Sequence, residues 1–189
     1  MEQINSKQFV NSALYKFVET VSKQGVSLII SLVLARLLMP EHYGIIALTT
    51  VFITFSNIFI QNSFNIALIR KDEVKPTDYS TVMCLNLSFA VLLYIGFFFA
   101  APFVADYYKI PELKWVLRVI TILLFFESCA TVERVKATRA MQFRLMSIVT
   151  FSSNALAGSI GILMAYLGFG IWALVAQQVI YNFLDMILM

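Results

Sequence analysis

"YKFVETVSKQGVSLIISLVLARLL", residues 15–38, begins like a surface helix and ends like a membrane span. Glu19 and Lys23 stand four residues apart with the acid nearer the helix N-terminus, which puts both on one face in the favourable order. The same face continues through Ser27, Ser31 and Ala35, and Ile, Leu and Val fill the opposite side. An unpaired charge at mid-bilayer costs about 2.5–3.5 kcal/mol on insertion scales. Such a stripe is therefore expected to face protein or water.

The rest of the chain shows that this stretch is no exception. Of 189 residues, 60% are hydrophobic and 13% charged, with a mean hydropathy of +0.81; a soluble domain has roughly 45–50% apolar and 25% charged residues. Apolar runs close to the ~20 residues that cross a hydrocarbon core recur about six times. They are too long for barrel strands and lack alternation, so each is read as a helix whose backbone groups are satisfied internally. The predicted fold is all-α: a polytopic membrane protein, a six-transmembrane-helix bundle forming a single unit over residues 1–189, with helices at about 16–38, 43–68, 80–101, 113–133, 147–166 and 170–189. Pro40, Pro76, Pro102 and Pro111 all fall between these spans, where a missing amide donor costs little.

The basic residues flank hydrophobic runs instead of forming one stripe, which argues against nucleic acid and for topology. Nine of the fourteen lie on one side: Lys7, Lys16, Arg70, Lys71, Lys75, Arg134, Lys136, Arg139 and Arg144. The N-terminus is accordingly placed in the cytoplasm, and the mixed polar start without a small-x-small cleavage site reads as an uncleaved first helix. "ERVKATRAMQFR", residues 133–144, is expected to lie along the inner leaflet as a basic turn or short helix. Plain topology anchoring is the simpler alternative. Arg118 is near enough to a span end to snorkel. Cys84 and Cys129 show no metal spacing and read as buried apolar thiols. With one histidine, no Gly-rich phosphate loop and no paired carboxylates at catalytic spacing, an enzyme, a metal site and a cofactor are not expected.

Helix two carries its own polar face: Thr50, Thr54, Asn57, Gln61 and Asn65 follow at helical spacing. Two helices joined by the tight link "MPEH" thus each carry a polar face, and these either line a hydrated groove or hydrogen-bond to one another. Deeper in the sequence, Glu127 and Asp185 are candidates for ion coupling, with Gln178 and Asn182 on the same helix as Asp185. Ser153, Ala157, Gly161 and Ala165 make small-xxx-small steps, a close-packing face.

Taken in order, "SLVLARLLMPEHYGIIAL", "SFNIALIRKDEVKPTDYSTV", "FAAPFVADYY", "ERVKATRAMQFR" and "LGFGIWALVAQQ" resemble the bacterial polysaccharide exporters of the colanic-acid and O-antigen flippase type, relatives of the multidrug and toxin extruders. His42 departs from the "PEDYG" usual there. The resemblance covers the N-terminal lobe of a fold with two facing helical lobes. It implies movement of an undecaprenyl-pyrophosphate-linked oligosaccharide from the inner to the outer leaflet of the bacterial cytoplasmic membrane, by alternating access. Partners would be that lipid-linked oligosaccharide, membrane lipids, and a second lobe or a second copy. On this reading Lys23 contacts phosphate, Glu19 holds Lys23 between substrates, and Asn57, Gln61 and Asn65 bond the headgroup. The alternatives are an antiporter of cationic drugs, which Lys23 disfavours, and a half-transporter or scaffold subunit that transports nothing.

Overall fold

The computed structural model describes residues 24–61, 68, 75–140 and 142–189, and all regular structure among them is helical. The chain forms α1 (Gln24–Leu37), α2 (Pro40–Gln61), α3 (Pro76–Tyr108), α4 (Pro111–Ile120), α5 (Leu123–Arg139), α6 (Phe143–Tyr166) and α7 (Ile171–Leu188). Among the described residues four spans are long and apolar enough to cross a membrane: Thr77–Tyr108, Pro111–Arg139, Arg144–Tyr166 and Ile171–Leu188. The 22 residues of α2 extend about 33 Å, also a membrane thickness. The molecule is an all-α polytopic membrane protein.

Proline does not act only as a spacer. Pro40, Pro76 and Pro111 each open a helix, where the ring presets φ and no amide is missed. The carboxylate of Asp78 accepts from the amide of Lys75 at 2.9 Å, closing the start of α3. Pro102, expected between spans, lies inside α3. A proline there cannot donate to the carbonyl four residues back, that of Phe98. The guanidinium of Arg118, on α4, supplies the missing donor: Nη2 reaches the Phe98 carbonyl at 3.4 Å, and the guanidinium carbon lies 4.0 Å from the Phe98 ring centre. Arg118 is half-buried between two helices, not snorkelled as the sequence suggests, because α3 offers it both an open carbonyl and a ring face.

The helices run beyond the predicted spans wherever polar residues continue the hydrogen-bonded ladder. α3 has 33 residues, about 50 Å, against a core of about 30 Å. Lys109 then turns left-handed at φ 57°, with the Ile110 amide on the Ala105 carbonyl at 3.0 Å, and Pro111 restarts the chain. The expected fourth helix is one span in two pieces. At the break, the hydroxyl of Thr121 bonds the Leu117 carbonyl at 2.9 Å, and the amides of Leu124 and Phe125 reach back only three residues. Nor is 133–144 a separate interfacial segment: α5 continues through Arg139, so the expected loop is mostly a helix end.

The α4–α5 span is the centre of the bundle, with 56% of its most apolar window buried against 11% for α3. Ile45, Leu113, Val116, Ile120, Ile171 and Val175 join α2, α4 and α7 at one end, and Val82, Val132 and Val135 join α3 to α5 toward the other. α6 and α7 form an antiparallel hairpin through Gly168 (φ 83°) and Gly170 (φ 57°), backbone values that side chains resist. A Cβ on Gly170 would also stand 3.3 Å from the imidazole of His42. Along α6, Ser153, Ala157, Gly161 and Ala165 are all buried, the close-packing face read from the sequence. Gly161 admits Gln177 of α7, and Gly158 admits Ile30 of α1 so tightly that any added Cβ would overlap it. Ile30, Leu34 and Leu38 then pack on Ala165, Ala173 and Leu174, which seats α1 in the α6–α7 groove. Cys84 is exposed rather than buried, and Cys129 is half-buried.

Candidate functional site

Seating α1 against α6 and α7 determines what its polar stripe faces. Ser27 and Ser31 line a cavity of ≈ 390 Å³ together with Asn154 of α6 and Gln177, Gln178 and Tyr181 of α7. Among the described residues α2 contributes Tyr43, beside Leu34 and Leu174 at the apolar end. The α1 stripe thus meets α7, and among the described residues no polar residue of the predicted α2 face lines this space. The spacing that builds the α7 wall is regular: 174, 177/178, 181 and 185 lie on one helical face.

The α2 face is divided. Thr50 and Thr54 are exposed, and Thr50 returns its hydroxyl to the Ile46 carbonyl at 2.8 Å. Asn57 is half-buried with its Oδ1 enclosed and unbonded. Beyond Tyr43, inward hydroxyls of α2 are Thr49 and Ser56, each bonded to its own helix at 2.8 Å. Glu19, Lys23, Asn65 and the side chain of Gln61 lie outside the described residues.

One turn past Tyr181 on the same α7 face is Asp185, 1% exposed, held by the guanidinium of Arg134 from α5. Glu127, two turns before Arg134 on α5, is close enough with these two to act electrostatically on Tyr181. The Arg134–Asp185 pair thus ties α5 to α7 one turn beyond the cavity wall. A carboxylate this enclosed survives only beside a cation. Arg134 reads from the sequence as a topology anchor, and the signal that marks it as more is its seven-residue spacing from Glu127, which puts the two on one face of α5. Asn154 and Gln177 are equally unmarked, since an isolated amide in an apolar helix has no periodic partner. Arg139 reaches from the end of α5 to the Leu68 carbonyl at 2.8 Å, and Lys136 pairs with Glu133 at 2.7 Å, so the basic cluster is partly structural. Among the described residues no three metal-ligating side chains come together.

Chemically, the cavity offers hydroxyls, amides and two tyrosines, and among the described residues no charged side chain lines it. Comparison with known proteins gives this arrangement a context. The chain is 26% identical over 174 residues to the succinoglycan biosynthesis transport protein ExoT of Rhizobium meliloti (strain 1021), covering 92% of this chain and 35% of that protein. It is 25% identical over 126 residues to the teichuronic acid biosynthesis protein TuaB of Bacillus subtilis (strain 168), covering 67% of this chain and 26% of that one. The chain thus spans about a third or less of the length of these relatives. No solved structure matches it. The family model described as "Polysaccharide biosynthesis protein" matches residues 33–189, from the middle of α1 through α7, and the chain belongs to that family.

Proposed function

We propose that this chain serves in the export of a lipid-linked oligosaccharide, moving an undecaprenyl-pyrophosphate-linked headgroup from the inner to the outer leaflet of the bacterial cytoplasmic membrane by alternating access. The observation that carries the reading is a cavity walled by uncharged hydrogen-bonding side chains inside an apolar bundle, in a chain of the polysaccharide biosynthesis family. Bare hydrocarbon strips every hydroxyl and phosphate oxygen of its water, at several kcal/mol for each roughly. A polar path removes that cost while the prenyl tail stays in lipid. The chemistry needed is passage, not bond making, so the chain is read as a transporter and not an enzyme.

In this reading Lys23 contacts the diphosphate as a compact point charge and Glu19 holds its ammonium between substrates. Asn57, Gln61 and Asn65 bond headgroup oxygens, and a second lobe or second copy closes the path. Two negative charges moving outward gain about 4.6 kcal/mol from a 100 mV potential, inside negative. Glu127 and Asp185 are the candidates for any added ion coupling, and for Asp185 this requires Arg134 to let go. The test is complementation of a strain lacking the gene. Wild type restores surface polysaccharide and Lys23→Gln, present at equal level in the membrane, does not; equal restoration by Lys23→Gln would remove the phosphate assignment.

A further inference from the structure

Polar side chains enclosed in a membrane bundle are normally committed to one another or to backbone. Around the cavity between α1, α6 and α7, Ser27 and Ser31 are exposed and Asn154, Gln177, Gln178 and Tyr181 half-buried. Among the described residues these six side chains have no hydrogen-bond partner. The hydroxyl of Tyr43, on the same wall, is buried without a partner. Donors and acceptors thus remain open on three sides of a space of ≈ 390 Å³.

The lining also discriminates among occupants. Among the described residues it carries no charge, and the guanidinium of Arg134 is bound to the buried Asp185. Among the described residues an anion would find no cation on this wall, and a cation no carboxylate. Amides and hydroxyls that both donate and accept, beside tyrosine ring faces, match the alternating hydroxyls and C–H faces of a sugar ring.

We propose that this cavity is a subsite for one uncharged sugar unit of the transported headgroup, separate from the place where diphosphate is held. The inference rests on the transport reading for its biological meaning, but the cavity belongs wholly to α1, α2, α6 and α7 and its binding is measurable by itself. Sugar preference would then be set at the α1–α7 seam.

The chain in lipid nanodiscs is examined by saturation-transfer NMR with glucose, galactose and N-acetylglucosamine at millimolar concentration, and separately with inorganic pyrophosphate as competitor. At least one neutral sugar should receive saturation, undiminished by pyrophosphate. Gln177→Leu and Asn154→Leu should each weaken it by about fivefold or more, the worth of one neutral hydrogen bond, while Thr54→Val on the exposed face of α2 leaves it unchanged. Unfolding temperatures of all variants guard against a folding artefact. No transfer from any of the sugars, loss of transfer to pyrophosphate, or indifference to both leucine variants would overturn the subsite. Sugar binding without leaflet-to-leaflet movement of lipid-linked sugar would leave the subsite standing and remove the transport reading. Movement unaltered by either leucine variant, in rate and in sugar preference, would do the reverse.

Discussion

At the scale of single residues, the bundle balances the buried charge of Asp185 against the guanidinium of Arg134. Asp185 is 1% exposed whereas the Arg134 side chain is 33% exposed, so the two ends of the pair are not equivalent. Removing Arg134 strands a carboxylate with no route to water, and Arg134→Met should cost about 3–5 kcal/mol. Asp185→Leu leaves a guanidinium that can turn to solvent and should cost clearly less. Unfolding temperatures in detergent for the two variants and their combination check the order, with the double variant recovering most of the loss. Arg118 supports a second prediction, because its bond to the Phe98 carbonyl matters only while Pro102 withholds an amide. Arg118→Leu should destabilise by about 1–3 kcal/mol, the cost of an orphaned acceptor, and by less when combined with Pro102→Ala. Neither arrangement is visible in the sequence, where Arg118 lies near a predicted span end and Pro102 marks one; both depend on which helix stands beside which.

Among elements, α1 is positioned by glycine. Ile30 occupies the space a Cβ on Gly158 would take, so Gly158→Ala should loosen α1 at about 1–3 kcal/mol, the usual cost of overpacking. Ile30→Ala in the same chain should restore much of it, as a thermal-shift cycle would reveal. The small-residue face of α6 was legible because lipid gives helices no hydrophobic reason to approach, leaving close contact as the signal. The α1 stripe was legible too, but its partner was not: the short link to α2 suggests that the two polar faces meet, whereas Ser27 and Ser31 face α7, far along the chain. Sequence periodicity tells which residues share a face and is silent on what that face meets. At the α6–α7 turn, Gly170 combines a left-handed φ with the His42 ring behind it. Gly170→Ala should cost about 1–3 kcal/mol in backbone strain alone, measurable as a lowered unfolding temperature.

For the whole molecule, the helical class was legible because length and apolarity suffice to identify a span. Helix ends were less so: hydropathy stops at the hydrocarbon edge, and the hydrogen-bonded ladder of α3 and α5 does not. The charged cluster of Glu127, Arg134 and Asp185 lies where two distant segments pack, and only the fold assembles it. Among the described residues the bundle provides an apolar exterior, a cavity wall of amides and hydroxyls, and an Arg134–Asp185 pair just beyond it. This is the division a headgroup of sugar and diphosphate on a lipid tail requires. Its most direct test is leaflet accessibility in spheroplasts of a strain lacking the gene, using a lectin against the lipid-linked oligosaccharide. In the deletion strain the lectin-reachable lipid-linked pool is expected to be lost from the outer leaflet and to build up inside, and wild type to restore it. An unchanged outer-leaflet pool in the deletion strain would contradict the claim that this chain serves in moving it.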